Sequence, residues 1–420
     1  MNRWFVSRWS PTFPLWAAAL YFLPAPYSAE AQVVTLDDSS AVEIVQVNRL
    51  DGDPAAWRID PTPALVIGMV DGPEEYLLMN PLNAMLLDNG NTVIQDSYKN
   101  VFNLHYYDRA GVHLVNASRW GEGPWEFHYL SGLHRLPGDS VFALGETGRF
   151  AVYGPAGERV REGRLPIQSH LPVLRSFMVG GDKIILERPV LPETSGLPPT
   201  GTSRGKAHYL QYSIPSSAVD TLGTMLLEPA YFLNTGNQAA VFPIPFAPSA
   251  QAAASGGFLW LGQSDIPEIY GFHAEDGLTT ILRLEDPRRR VTRRDRQAYE
   301  ERLMEGLSGD RLREHERYAR RMEYPEAMPS FGMLEVDISG NLWVQRYTPP
   351  RSDEEEVWDV FNPSGKRLAT VTFPPEAYPA CARRMKYPCD WIKEIGPDYL
   401  LVDQGGRGDV RQVVRYRILR

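Results

Sequence analysis

The chain has 420 residues, with 43 basic and 52 acidic side chains and a net charge of −9. An acidic balance repels phosphates, which excludes nucleic acid and anionic membrane surfaces as partners; its ordinary role is solubility. Its two cysteines, Cys381 and Cys389, have no His beside them and make a poor zinc site.

The first element is a targeting segment. Arg3 and Arg8 form a positive start, and Phe13 to Leu23 is apolar but too short to span a bilayer. Ala29-Glu30-Ala31 follows as a small-residue cleavage site, so residues 1–31 read as a signal peptide and 32–420 as the folded unit. The competing reading is an uncleaved anchor. No Cys follows the apolar run to carry a lipid, and the tandem arginines of a twin-arginine signal are missing. The expected location is secreted or periplasmic, with no transmembrane anchor in the mature chain. In such an oxidising compartment Cys381 and Cys389 are expected to pair, and closing so short a loop contributes roughly 2–3 kcal/mol.

Ala64 to Val70 is an apolar run without a partner of its own. From there a phrase recurs six times: an apolar run, a tight Gly/Asp/Asn turn, a second apolar run. The copies are Leu86–Val93, Leu136–Val141, Val179–Ile184, Ser255–Trp260, Ile338–Trp343 and Ile395–Leu400. Each reads as a β-hairpin, because Gly, Asn and Asp tolerate the positive φ of tight turns. In four units a second turn follows, Gly111 after Gly90, Gly157 after Gly138, Gly277 after Gly257 and Gly365 after Gly340, at intervals of 21, 19, 20 and 25 residues. Four strands with two similar turns make the grammar of a β-propeller blade. The third unit replaces its second tight turn with Ser213 to Val219. The sixth unit ends with Val410 to Leu419 and lacks a fourth strand. The expectation is an all-β, six-bladed β-propeller in which Ala64–Val70 supplies that strand and closes the ring, removing the sheet edges an open array would expose.

Three insertions interrupt the repeat. Pro189 to Lys206 is rich in Pro, Gly, Ser and Thr and is expected to be a loop. Met225 to Ala254 is low in charge and rich in Ala, Pro and Phe. Asp286 to Glu323, between the fourth and fifth blades, carries Tyr299, Leu303 and Leu307 at helical spacing, with Leu312, Ala319 and Met322 continuing the stripe. Gly306 to Gly309 is expected to break it into two helices, a helical lid over 286–323. Twelve arginines lie between Arg288 and Arg321, against seven acids from Asp295 to Glu316. Such a run is ordinarily a solvated face; the sharper reading is a basic lid that gates the funnel or docks an anionic partner.

Arg119-Trp120-Gly121-Glu122-Gly123-Pro124-Trp125-Glu126-Phe127 resembles the G-x-G-x-G-x-F segment between blades of the NHL-like β-propellers of exported bacterial proteins, with Trp125 in place of the usual small residue. The resemblance implies that the glycines turn the chain sharply and that the aromatic docks between blades. Members of that broad group include binding scaffolds, lyases and lactonases, and fold alone does not choose among them.

The repeat places one residue per blade at the end of the second strand: Asp96, Glu146, Glu187, Asp265, Arg346 and Asp403. The insertions open from the same face. Two readings stand. Five carboxylates around one mouth could hold Ca²⁺, which takes multiple oxygen ligands, or a cationic ligand; or each acid caps its turn or pairs with an arginine such as Arg149 or Arg407. No cofactor is otherwise implied. His134 alternates with apolar neighbours on a strand, as a packed histidine does, and is the candidate binding histidine alongside Arg346. Gly201-Thr202-Ser203-Arg204-Gly205 matches G-x-S-x-G, but a nucleophile elbow needs a strand before it and a helix after it, and this one sits in an insertion. The expected function is a binding module for a small molecule or protein on the insertion-bearing face. The alternative is a metal-dependent hydrolase or lyase built on the acidic ring.

Overall fold

The computed structural model describes residues 42–47, 55–98, 101–145, 147–166, 173–190, 199–234, 239–285, 288–350, 355–377, 391–405 and 411–420. The leader, Glu146, Arg407, Cys381 and Cys389 lie outside them, and with them the expected cleavage and disulfide.

The described chain is all-β apart from two helices and two single 3₁₀ turns. The first sheet is a meander of Pro81–Leu86, Thr92–Tyr98, Val101–Tyr107 and His113–Trp120, with Glu126–Phe127 added in parallel. The second is Leu130–Leu136, Ser140–Gly145, Arg149–Tyr153 and Arg159–Arg164. The third runs Arg175–Val179, Lys183–Pro189, Gly201–Ser213, Val219–Asn234 and Ala239–Pro243. The fourth is Ala250–Ser255, Phe258–Gln263, Glu268–His273 and Gly277–Leu284, and the fifth Leu334–Val336, Leu342–Gln345, Glu356–Phe361 and Arg367–Phe373. The last meander is Ile392–Ile395, Tyr399–Gly405 and Arg411–Leu419.

Each sheet packs on the next through a shared apolar layer. Tyr106 and Val93 meet Val141 and Tyr153 between the first and second sheets. Phe142 and Leu144 meet Ile184 and Tyr212 between the second and third. Similar layers follow, and the final one packs Leu401 and Val413 of the last meander on Ile94 and Tyr107 of the first sheet. This succession, which returns to its start, is consistent with a β-propeller. A strand covered on both faces has no polar side, which is why Val141-Phe142-Ala143-Leu144 is apolar at every position and buried throughout. The outer strand Arg159–Arg164 is exposed along its length, and its charges keep that edge from pairing with other chains.

The segment before the first sheet does more than the sequence predicts. Leu65–Ile67 pairs antiparallel with the C-terminal strand, Val413 opposite Ile67, as Ala64–Val70 is expected to do. Two further strands precede it. Glu43–Val47 lies parallel to Gly277–Leu284, and Ala55–Ile59 lies parallel to Arg367–Phe373. The N-terminal segment thus covers the outer edges of three successive sheets. Ala55–Ile59 also touches Ile418 and Leu419, joining the fifth and last sheets into one.

The turns on the hairpin face pack on one another. Gly256 has φ +58°, and a Cβ there would lie 2.8 Å from the Gly340 nitrogen of the next sheet's turn. Glycine at this position satisfies the turn and the close approach together.

Candidate functional site

Of the residues at the ends of the second strands, the five that are described each have a hydrogen-bonding or ionic partner. Asp96, 3% exposed, accepts from the Asn80 amide at 2.6 Å and the Met79 amide at 3.1 Å through Oδ1. Burial pushes its carboxyl up, the two amides oppose that, and Asp403 adds to it. Asp403 is held by Arg411, Nε to Oδ1 at 2.9 Å with a second contact from Nη2 to Oδ2. Glu187 pairs with Arg175 at 2.6 Å and accepts from the Tyr209 hydroxyl at 3.1 Å. Asp265 pairs with Arg204 at 3.0 Å. Arg346 grips Asp359 with both arms of its fork, at 3.0 and 2.9 Å. Asp403 and Arg411 lie near enough to Asp96 that their charges act on its carboxyl. Among the described residues no three His, Cys, Asp or Glu side chains form a set that could hold a metal. The arginines that pair with the acids are Arg175, Arg204 and Arg411, whereas Arg149 donates to the carbonyls of Glu122 and Gly123 at 2.9 and 2.7 Å.

His134 contacts Ser176 Oγ through Nε2 at 2.9 Å and stacks on Phe142. Burial pushes its imidazole down to about 4, so it is a neutral, packed ring near neutral pH. Ser203 lies inside the strand Gly201–Ser213, opposite Ala230, and no helix follows it; the G-x-S-x-G match is not an elbow. At the junction between the first two sheets, Phe127 packs 6.0 Å from Phe102 with Arg149 over its ring. Trp125 takes φ +63° and its amide donates to Glu162 at 2.8 Å.

The insertions are more ordered than their composition predicts. The Pro/Gly-rich stretch expected as a loop contributes strand from Gly201 onward, and the opposing strand continues to Asn234. Gly201–Arg204 pairs with Pro229–Phe232, and Ala230–Asn234 pairs in turn with Ala239–Pro243. The result is a ribbon extending from the third sheet. The helices Arg293–Met304 and Gly309–Ala319 dock on it. The first begins with a capping box, in which Thr292 and Asp295 satisfy each other's backbone amides. Gly306 and Gly309, at φ +69° and +61°, part the two helices where the sequence predicts a break.

Tyr231, Phe246, Tyr299, Leu303, Tyr318 and Met322 form a separate apolar core between ribbon and helices. Tyr318 donates to the Pro243 carbonyl and stacks on Phe242 at 4.5 Å. Removing a buried aromatic ring costs about 3–5 kcal/mol. Tyr318→Ala is therefore expected to speed amide exchange across 290–328 while exchange in the first and last sheets stays unchanged. An equal change in all sheets would mean that this core is not a separate unit.

Beside this core lies a polar cluster. Arg204, 18% exposed, donates from Nε to the Leu227 carbonyl at 2.7 Å and from Nη1 to Asp265. Gln263 donates to Asp265 at 2.8 Å and accepts from the Leu226 amide at 3.0 Å. Arg204 is thus locked from two sides, while its buried Nη2 has no hydrogen-bond partner among the described residues. Glu228 follows Leu227 on the opposing strand, where the ribbon bulges between Arg204 and Lys206. Burial pushes its carboxyl up to about 7, with Arg204 pulling the other way. Tyr347, packed against the ribbon–helix core, has its phenol pushed far up by burial and by the charge of Glu228. Half-buried groups with displaced protonation equilibria, gathered under a covering element, mark a candidate site.

No family model matches the chain, and the sequence of no curated protein matches it. Among solved structures it aligns with a protein described as exported from Bacteroides fragilis, at 11% identity and a TM-score of 0.47, over 90% of this chain and 99% of that one. A member of the DUF4221 family from Bacteroides vulgatus aligns at 10% identity and a TM-score of 0.44, over 86% and 98%. A calcium-binding protein, regucalcin, from Agrobacterium tumefaciens aligns at 10% identity and a TM-score of 0.36, over 90% and 97%. Likeness this distant assigns no ligand or activity.

Of the residues in the polar cluster, sequence reasoning singled out only Asp265. Arg204 lies within the G-x-S-x-G match, where attention falls on the serine. Glu228 sits as the one acid in an otherwise uncharged run, Met225 to Ala254, and a lone acid in such a run is a readable signal.

Proposed function

We propose that the chain is an exported six-bladed β-propeller, NHL-like in its first blade junction, that binds a small molecule or protein through its insertion-bearing face. The observation that carries this reading is the ribbon–helix unit: two insertions far apart in sequence pack a common apolar core, Tyr231 and Phe246 of one against Tyr299 and Tyr318 of the other, on a ribbon whose Arg204 pairs with Asp265. Six meanders with shared apolar layers support the blade count. Export rests on the leader sequence; among the described residues no helix is long and apolar enough to cross a membrane. The helical pair would act as the lid.

A screen of small molecules by thermal shift, followed by hydrogen-exchange mapping of each hit, tests the reading. Protection is expected in 201–246 and 288–328. Protection confined to the opposite, hairpin-turn face would overturn it.

The metal-dependent alternative requires acids free to coordinate, whereas Glu187, Asp265 and Asp403 each hold an arginine and Asp96 holds two amides. Melting is accordingly expected to ignore both a chelator and added Ca²⁺. A stoichiometric Ca²⁺-dependent rise that Asp96→Ala or Asp403→Ala abolishes would favour the metal ring instead.

A further inference from the structure

We propose that His105 and His113 form a two-histidine site for a divalent transition-metal ion, with Zn²⁺ as the ion their geometry fits. The site lies in the first sheet and is independent of the binding-module reading. His105 is on the strand Val101–Tyr107, and His113 opens the neighbouring outer strand His113–Trp120. Residues two apart on a strand share a face, so His105 and Tyr107 point the same way. Tyr107 pairs with His113, and the register shifts between Tyr106 and Tyr107, a place where strands re-aim their side chains. His105 Nδ1 thereby lies 3.4 Å from His113 Nε2, with the rings edge to face at 5.4 Å and 70°.

The distance separates two accounts of the pair. A hydrogen bond between ring nitrogens prefers about 2.7–3.2 Å, so 3.4 Å is long for one. Two nitrogens on one tetrahedral Zn²⁺, each about 2.0–2.1 Å from it, stand about 3.3–3.4 Å apart. A right-angled pair on a square or octahedral ion would stand about 2.9 Å apart. Neither ring makes another hydrogen bond among the described residues. The rings are also held in place. The Tyr107 ring lies 6.0 Å from His105 and 5.5 Å from His113, and its hydroxyl donates to the Glu75 carbonyl. The Tyr76 hydroxyl accepts from the His113 amide at 2.8 Å, so the 3₁₀ turn Glu74–Tyr76 braces both strands. His105 is buried and His113 half-buried, beside Val112 and Leu114, which are exposed; an ion can enter from that edge.

Imidazole nitrogens select transition ions over Ca²⁺ and Mg²⁺, which take oxygen ligands. Among the described residues no third His, Cys, Asp or Glu side chain joins the pair, so water or a donor atom of a bound molecule takes the remaining positions. Two protein ligands hold the ion only while it is supplied, so a chelator alone is expected to leave the purified protein unchanged.

The test is calorimetric titration of the full chain with ZnCl₂ and, separately, MgCl₂ at about pH 7.5. One saturable Zn²⁺ site is expected, with a melting temperature that rises with added Zn²⁺. His113→Gln should weaken Zn²⁺ binding by roughly 10–100-fold or more, since even outer-sphere partners of a metal ligand are worth that much. His128→Gln should leave it unchanged. In ¹⁵N-histidine-labelled protein, substoichiometric Zn²⁺ should move the His105 Nδ1 and His113 Nε2 signals first. The proposal is overturned if the wild type shows no saturable Zn²⁺ binding, if His113→Gln binds as tightly as the wild type, or if Mg²⁺ binds equally. Should His113→Gln fail to fold, the ¹⁵N signals decide, and movement of other histidines in place of these two overturns it. Ligand binding at 201–246 and 288–328 is tested separately and stands or falls apart from these outcomes.

Discussion

Glu394→Ala is expected to lower the stability of the whole chain by roughly 3 kcal/mol, the cost of removing one partner from a buried ion pair. Glu394 sits in the first strand of the last meander and meets Arg135, from the first strand of the second sheet, at 2.9 Å. Its other oxygen accepts from the Leu86 amide and the Tyr399 hydroxyl, both at 2.7 Å. Arg135 in turn donates to the Leu86 carbonyl and lies 3.4 Å from Asp88 and 3.6 Å from Asp139. Asp139 then accepts from the Asp88 and Asn89 amides at 2.8 and 2.9 Å. One carboxylate therefore clasps the last, first and second sheets where the two ends of the repeat meet. Its removal strands a guanidinium that is only 25% exposed, together with an amide and a phenol. Urea melts of Glu394→Ala and Glu316→Ala make the comparison. Glu316 lies 3.9 Å from an Arg320 that is 70% exposed, and that pair should contribute less than about 1 kcal/mol. Equal effects of the two substitutions would show that the clasp does not hold the ring.

Glu228→Gln is expected to stabilise the protein in mild alkali and to change little in acid. The folded-state carboxyl titrates near 7, above its ordinary 4.5. A group raised in this way contributes stability that is fully present below about pH 4.5 and lost as the pH rises through about 7. The gap corresponds to roughly 3 kcal/mol, and partial exposure to water reduces it to about 2 kcal/mol. Glutamine has nearly the same shape and no charge to bury. Melts at about pH 8 should show the variant more stable, and melts at about pH 4.5 should show nearly equal stability. The same difference at both pH values would mean that Glu228 is not buried against its charge.

These two residues also show where sequence reading stops. Glu394 sits beside a hairpin turn that is plain in the sequence, yet its partner Arg135 is 259 residues away. Arg204 and Asp265 are 61 residues apart. Nothing local distinguishes a carboxylate that will find an arginine across the ring from one that will face water, so five acids at equivalent repeat positions could be read as a metal ring. The ribbon was hidden for a different reason. Pro and Gly lower strand propensity, but Gly201–Arg204 is held as strand by pairing with Pro229–Phe232 and by the helical core beside it. The strands Glu43–Val47 and Ala55–Ile59 escaped notice because an edge-covering strand needs no tight turn to announce it.

The sequence by itself determined the hairpins, the pair of helices and the break between them. Turn residues with positive φ and apolar periodicity act over a few residues, and the chain carries that chemistry locally. It also marked Ala64–Val70 as a strand in search of a partner, and Leu65–Ile67 within it finds one. Only the tertiary structure decided which charges meet, Arg204 with Asp265 and Glu394 with Arg135, and that two insertions share one core. Those outcomes depend on burial and on contacts across large sequence separations, which are properties of the packed chain.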